Sequence, residues 1–80
     1  MSITNKKTLK IITVDCRELV PPEPMVKVLE AVEKMGKNEA VLMLHRKKPA
    51  LLFPRLKEKG LDFELTEKND ENIELLIWRP

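Results

Sequence analysis

The sequence predicts an α+β fold, a two-layer α/β sandwich with the element order β-α-β-α-β-β. Strand-like apolar runs alternate with two amphipathic helical patterns, and a polar turn separates the last two strand-like runs. Because strand–helix–strand crossovers are right-handed, both helices should cover the same face of the sheet. The opposite face of the sheet should then be the more open one.

Length and composition narrow the class of protein. The 80 residues allow one domain, so we expect a flexible N-terminal arm over residues 1–8 and a single domain over residues 9–80. No apolar run is long enough for a membrane span and no signal-peptide pattern is present, which favours a soluble cytoplasmic protein without a membrane partner. A net charge of +2 is too small to indicate a nucleic-acid partner.

The first strand is predicted over residues 10–15, where β-branched residues dominate. Three prolines between residues 21 and 24 follow it, and proline suits the first turn of a helix but not the interior. A helix is therefore predicted over residues 22–35, with its apolar residues on one face. Gly36 is placed to end this helix in a left-handed conformation.

The second half of the chain contains the other strands and the second helix. Five consecutive apolar residues within residues 39–45 predict a central strand, and a helix is predicted over residues 49–59. Pro54 lies inside this second helix, so we expect either a kink or a late helix start. Strands are predicted over residues 61–67 and 72–79, joined by a polar turn of hairpin length.

The same patterns predict which side chains are buried. The expected core comprises Val28, Leu29, Val32, Leu42, Leu44, Leu56, Phe63, Leu75 and Ile77. Leu76 and Trp78 alternate with the core residues of the last strand, so they should lie on the open face. There they would form a homodimer or partner contact, or be partly buried by the N-terminal arm.

The loop after the first strand resembles a known sulfur-carrier family, called TusA-like or SirA-like. The matching residues are Val14-Asp15 and the Pro-x-Pro sequence Pro22-Glu23-Pro24 at the predicted helix start. In that family a cysteine directly before the Pro-x-Pro sequence carries sulfur as a persulfide. The corresponding position here is Pro21, and proline cannot carry sulfur.

A sister branch of the same family, made up of uncharacterised domains of unknown function, resembles the chain more closely. Its pattern is Asp-x-Arg, Pro-x-Pro and a histidine after the second strand, and Asp15, Arg17, Pro22, Pro24 and His45 fit it. The resemblance implies a mixed four-stranded sheet in the order 1-2-4-3, with the fourth strand antiparallel to the rest. No activity is implied with it.

We expect a binding edge where the loop of residues 15–24 approaches His45, because neighbouring parallel strands end at the same edge of a sheet. No nucleophile with its own base is present there, so a non-catalytic module that docks a protein partner or a small ligand is favoured over an enzyme. No catalytic residue, metal ion or cofactor is expected. The predicted binding residues are Asp15, Arg17, Pro22, Glu23, Pro24, His45 and Arg46.

The alternative function is a sulfur or redox carrier that uses Cys16, the chain's single cysteine. Cys16 follows a strand end and does not sit at a helix N-terminus, so no helix field lowers the pKa of its thiol. A structural role in the core is therefore favoured. Nucleic-acid binding ranks last, since the sequence has no aromatic pair on a strand and no strong basic stripe.

Overall fold

The structure is a computed structural model that describes residues 9–80, and it confirms the predicted order of elements. In chain order they are β1 (Lys10–Asp15), α1 (Glu23–Lys34), β2 (Glu39–His45), α2 (Leu52–Glu58), β3 (Asp62–Asn69) and β4 (Asn72–Trp78). The four strands form one sheet in the order β1-β2-β4-β3, as predicted. The predicted arm at residues 1–8 lies outside the described residues.

The sheet is mixed. β1 pairs with β2 in parallel, whereas β4 is antiparallel to both of its neighbours, β2 and β3. Directly paired residues share a face of the sheet, and Met43 of β2 pairs with Val14 on one side and Leu75 on the other. Both helices pack on the face that these three residues share, which confirms the two-layer prediction.

The core lies between that face and the helices. Val28 and Val32 of α1 and Leu52 and Leu56 of α2 are almost completely buried there. Val41, Met43, Leu75 and Ile77 form the floor contributed by the two central strands.

Two residues of the predicted core are placed differently. Leu42 and Leu44 are only partly buried, and the register places them on the open face with Leu76 and Trp78. Five apolar residues in a row give no alternation from which to read the inward face. The neighbouring residues Val41 and Met43 take the core positions instead.

The C-terminus of α1 is capped differently from the prediction. Gly36 was expected in the left-handed region, but Met35 is extended (φ −69°, ψ 127°) and ends the helix before it. The Gly36 N–H donates to Oε1 of Glu39 at 2.7 Å. Arg79 donates from Nε to the Met35 carbonyl at 3.2 Å and from Nη2 to the Val32 carbonyl at 3.1 Å. A guanidinium at this end also complements the helix dipole.

The second helix starts late, which was one of the two predicted outcomes. α2 begins at Leu52, so Pro54 lies in the first turn, where an N–H would have no intrahelical partner. Phe53 stacks on Phe63 of β3 with ring centroids 5.0 Å apart, which fixes the helix against the sheet. Gly60 follows in the left-handed region (φ 72°) and ends the helical segment.

Candidate functional site

The carboxyl ends of β1 and β2 meet at one edge of the sheet, as their parallel pairing requires. Asp15 pairs with Leu44, so its side chain points to the open face. His45 is the next residue of β2 and therefore points to the face covered by the helices. The sheet thus divides the predicted site into two cavities, one on each side.

The first cavity, which we call the polar cleft, lies on the open-face side and has a volume of about 380 Å³. Its lining residues are Asp15, Arg17, Glu18, Arg46, Glu71 and Asn72. Arg17 donates two side-chain hydrogen bonds to the Asp15 carboxylate, from Nη2 to Oδ2 at 2.8 Å and from Nε to Oδ1 at 2.9 Å. Arg46 Nη2 donates to Glu18 Oε2 at 3.2 Å. Both guanidiniums of the cleft are therefore already paired.

The pairing in the polar cleft changes the titration of Asp15. Hydrogen bonds from the side chain and then the backbone N–H of Arg17 lower the pKa of the Asp15 carboxyl from 3.8 to about 2. The same contacts raise the pKa of Arg17 above its ordinary value. A carboxylate held this way stays ionised at neutral pH and neutralises the nearest cation.

The second cavity lies on the helix side, and we call it the proline pocket. It has a volume of about 360 Å³ and is bounded by Pro21, Pro22, Pro24 and Met25, by Met43 and His45, and by residues 47–52. The start of α1 supplies the prolines, and the connection from β2 to α2 supplies the opposite wall. Because Met43 and Leu52 are fully buried core residues, the packing of the core fixes the floor of the pocket.

His45 is one of the polar residues that line the proline pocket. Within residues 9–80, its Nδ1 is the one buried side-chain nitrogen or oxygen without a hydrogen-bond partner. A buried polar atom without a partner costs roughly 1–3 kcal/mol, so native proteins rarely keep one without reason. A ligand that reaches the imidazole would remove part of that cost.

Two lysines line the same pocket. Lys47 makes no ion pair within the described part of the chain, and Lys48 reaches Glu67 only at 3.9 Å, with both side chains more than half exposed. No aspartate or glutamate among the described residues lines the pocket. Its walls are thus apolar, and its charged groups are all basic.

Cys16 is enclosed by the fold. Its side chain is fully buried, and its Sγ lies 3.9 Å from the Pro24 carbonyl oxygen at the start of α1. Burial raises the pKa of the Cys16 thiol, and the charge of Asp15 adds to that effect. Pro21, at the position of the sulfur-carrying cysteine in the resembled family, is exposed and lines the proline pocket.

Glu23 lines neither cavity. It is the first residue of α1, where its carboxylate complements the helix dipole, and its N–H donates to the Val20 carbonyl at 3.0 Å. That Asp15, Arg17, Glu23 and His45 form one binding site at this edge of the sheet stays a prediction, and the two cavities do not bring the four together. Asp15, Arg17 and Arg46 share the polar cleft, whereas Pro22, Pro24 and His45 share the proline pocket.

Sequence reasoning missed several lining residues. Glu18 joins the polar cleft by pairing with Arg46, which is 28 positions away, so no local pattern indicates it. Leu51 could have been identified from the sequence, because it is an apolar residue just before the buried face of α2 begins. It is 78% exposed, the most exposed of the large apolar side chains among residues 9–80.

The described part of the chain contains no three histidine, cysteine, aspartate or glutamate side chains grouped closely enough to hold a metal ion. Asp15 and His45, which end neighbouring strands, face opposite sides of the sheet. Within residues 9–80, no helix is long and apolar enough to cross a membrane.

Comparison with known proteins adds two matches. The family described as "Uncharacterized conserved protein (DUF2249)" matches residues 13–79. The crystal structure of a SirA-like protein from Desulfitobacterium hafniense matches with a TM-score of 0.72 and 26% sequence identity, over 84% of this chain and 93% of that chain. No curated protein matches the chain.

Proposed function

This chain belongs to the family described as "Uncharacterized conserved protein (DUF2249)" and has a SirA-like fold, and from that premise we propose that it is a non-catalytic binding module whose ligand site is the proline pocket. One observation carries the proposal. An apolar pocket at the edge of the fold contains a histidine whose buried Nδ1 has no hydrogen-bond partner. Among residues 9–80, no serine, threonine or cysteine lines it.

The composition of the pocket supports binding. Small-molecule sites are concave and mostly apolar, with a few polar groups that orient the ligand. Pro21, Pro22, Pro24 and Met25 supply the apolar wall, and His45 supplies the orienting group. Leu51 extends the apolar surface to the rim, and exposed apolar surface of this kind often marks an interaction site.

The alternative, a sulfur carrier that uses Cys16, is disfavoured by burial. A carrier thiol must meet its donor and acceptor at the surface, and the thiolate is its reactive form. The thiol of Cys16 is fully enclosed, and its pKa is raised by burial. A cytoplasmic location and a homodimer through the open face stay predictions.

Mass spectrometry separates the two functions. After incubation with a cysteine desulfurase and cysteine, we expect the native protein to gain no sulfur atom. Pro21→Cys is the matched control, because it places a thiol at an exposed position beside the Pro-x-Pro sequence and should gain one sulfur. A sulfur atom gained by the native protein and lost in Cys16→Ser would contradict the proposal.

Binding itself is tested by NMR with 1-hexanol, a neutral apolar probe. We expect saturable shifts of the backbone amides of residues 21–25 and 45–52. Ala50→Phe should block them, because Ala50 lines the pocket and a phenyl ring would fill it. Lys57→Phe adds the same ring on an exposed position of α2 outside the pocket and should leave the shifts unchanged. Shifts that persist in Ala50→Phe would contradict the assignment of the site.

A further inference from the structure

We infer that the proline pocket binds a small organic acid, with its apolar body against the prolines and its carboxylate beside His45 and Lys47. This inference rests on the proposed function and names the ligand class for the same site. The polar cleft on the other face of the sheet does not take part.

Charge is the first argument. In the part of the chain that the structure describes, the titratable groups that line the pocket are His45, Lys47 and Lys48, and no lining residue is acidic. Lys47 makes no ion pair with the described residues. The Lys48–Glu67 pair is long and exposed, so it offsets little of the positive charge of Lys48. An anionic group entering here meets positive charge that is not already neutralised.

The walls are the second argument. Within residues 9–80, every side chain that lines the pocket, apart from His45 and the two lysines, belongs to proline, methionine, alanine or leucine. Among the described lining residues, no hydroxyl or amide side chain is present to bind a sugar or a base. The nearby start of α1 offers little to a phosphate, because prolines remove its donors and the Glu23 N–H is bonded to Val20. The ligand is therefore apolar except at its charged end.

His45 provides the third argument. An imidazole carries at least one N–H donor in either protonation state, and neither nitrogen of His45 bonds to a group within residues 9–80. Turning the ring toward a ligand therefore breaks no hydrogen bond. A carboxylate oxygen can accept from the imidazole while Lys47 balances its charge.

The volume limits the ligand to a small molecule. A cavity of about 360 Å³ lies near the lower end of the range for small-molecule sites, roughly 300–1,000 Å³. A free organic acid with a short carbon chain suits this volume, and we commit to that occupant. The carboxyl terminus of a peptide has the same head group, and a short peptide serves as a separate arm of the test.

Calorimetry on the full chain tests the inference with hexanoate, 1-hexanol, hexylamine and the tripeptide Ala-Ala-Leu. We expect hexanoate to bind most tightly and hexylamine most weakly. Lys47→Ala should weaken hexanoate binding by about 2- to 5-fold, the range for one exposed charge pair, and leave 1-hexanol unchanged. Arg17→Ala removes a cation from the polar cleft and should leave hexanoate binding unchanged.

Other outcomes would reject the ligand class, the free acid as occupant, or the binding function itself. Equal affinities for hexanoate and 1-hexanol would reject the acid but keep the binding module. Tighter binding of the tripeptide than of hexanoate would reject the free acid as occupant. Absence of binding by both hexanoate and 1-hexanol would reject the inference and the proposed function together. Lys47 is exposed, so Lys47→Ala should fold, and Lys47→Gln repeats the test with a longer neutral side chain.

Discussion

The polar cleft and the proline pocket lie at the same edge of the sheet on opposite faces, and they differ in whether their charged side chains are paired. In the cleft, Arg17 contacts Asp15 at 2.8 Å and Arg46 contacts Glu18 at 3.2 Å. In the pocket, neither the imidazole of His45 nor the ammonium of Lys47 has a partner within residues 9–80. Charges near a strand end therefore indicate a ligand site only where neighbouring side chains have not already neutralised them.

The two cavities also differ in what supports them. The proline pocket rests on Met43 and Leu52, which are 0% and 1% exposed. The side chains of the polar cleft are exposed, apart from the half-buried Asn72. Core packing therefore holds the floor of the pocket in place, whereas the cleft is held by exposed ion pairs.

The largest expected effect concerns this difference in support. Leu52→Ala should lower the free energy of unfolding by about 2–5 kcal/mol, because it opens a cavity beneath the pocket. Leu51→Ala, the matched control at the exposed rim, should cost less than about 0.5 kcal/mol. Chemical denaturation measures both. Similar losses for the two variants would show that the pocket floor is not part of the core.

A third cationic side chain, Arg79, is neither bound by a carboxylate of the described residues nor left without a partner, because it donates to carbonyls at the C-terminus of α1. Arg79 is exposed, but its guanidinium makes two partly buried bonds to helix carbonyls, so Arg79→Ala should cost about 1–2 kcal/mol of unfolding free energy. Arg79→Lys keeps the charge and should recover part of the loss. A thermal or chemical denaturation series compares the three proteins. No difference between native protein and Arg79→Ala would mean that the two bonds contribute nothing to stability.

The Asp15–Arg17 ion pair of the polar cleft can be tested by measuring the pKa of Asp15. We predict that Arg17→Ala raises the pKa of Asp15 from about 2 toward its ordinary value of 3.8. Because the folded-state pKa lies below the unfolded one, ionised Asp15 favours folding above pH 3.8, and that contribution is lost as the pH falls to about 2. NMR titration of the carboxyl carbon measures the pKa. Arg46→Ala is the control and should leave the Asp15 pKa where it is.

The smallest expected effect concerns the second ion pair of the cleft. Arg46 and Glu18 are 54% and 87% exposed, so Arg46→Ala should change the free energy of unfolding by less than about 0.5 kcal/mol. Denaturation at low and high salt checks this. A loss above about 1 kcal/mol that salt abolishes would mean that the cleft is a stabilising network.

Much of the fold can be predicted from the sequence, because local patterns determine it. β1 and β2 have the predicted bounds, and the prolines before α1 correctly place its start within one residue. The end of α1 could not be predicted in detail. Its caps come from Glu39 and from Arg79, which lies 44 residues beyond Met35, and such distant partners leave no local signal.

The sequence predicts that Asp15 and His45 end neighbouring parallel strands, which the structure confirms, but it does not show how their side chains are grouped. Asp15 and His45 both end strands, yet Asp15 pairs with Leu44, and this offset of one residue places the two side chains on opposite faces. Only the register of the two strands contains that information. The prediction that Leu42 and Leu44 lie in the core is wrong for a related reason. A continuous apolar run does not show which of its residues face inward.

The most direct test of the difference between the two cavities is an NMR titration of the native protein with hexanoate. We predict saturable shifts of the amides of residues 21–25 and 45–52, which border the proline pocket. The amides of residues 15, 17 and 18 and of residues 71–72 should not move, because the ion pairs of the polar cleft are already closed. Shifts concentrated at those cleft residues, or at the Trp78 indole on the open face, would contradict our assignment of the ligand site to the proline pocket.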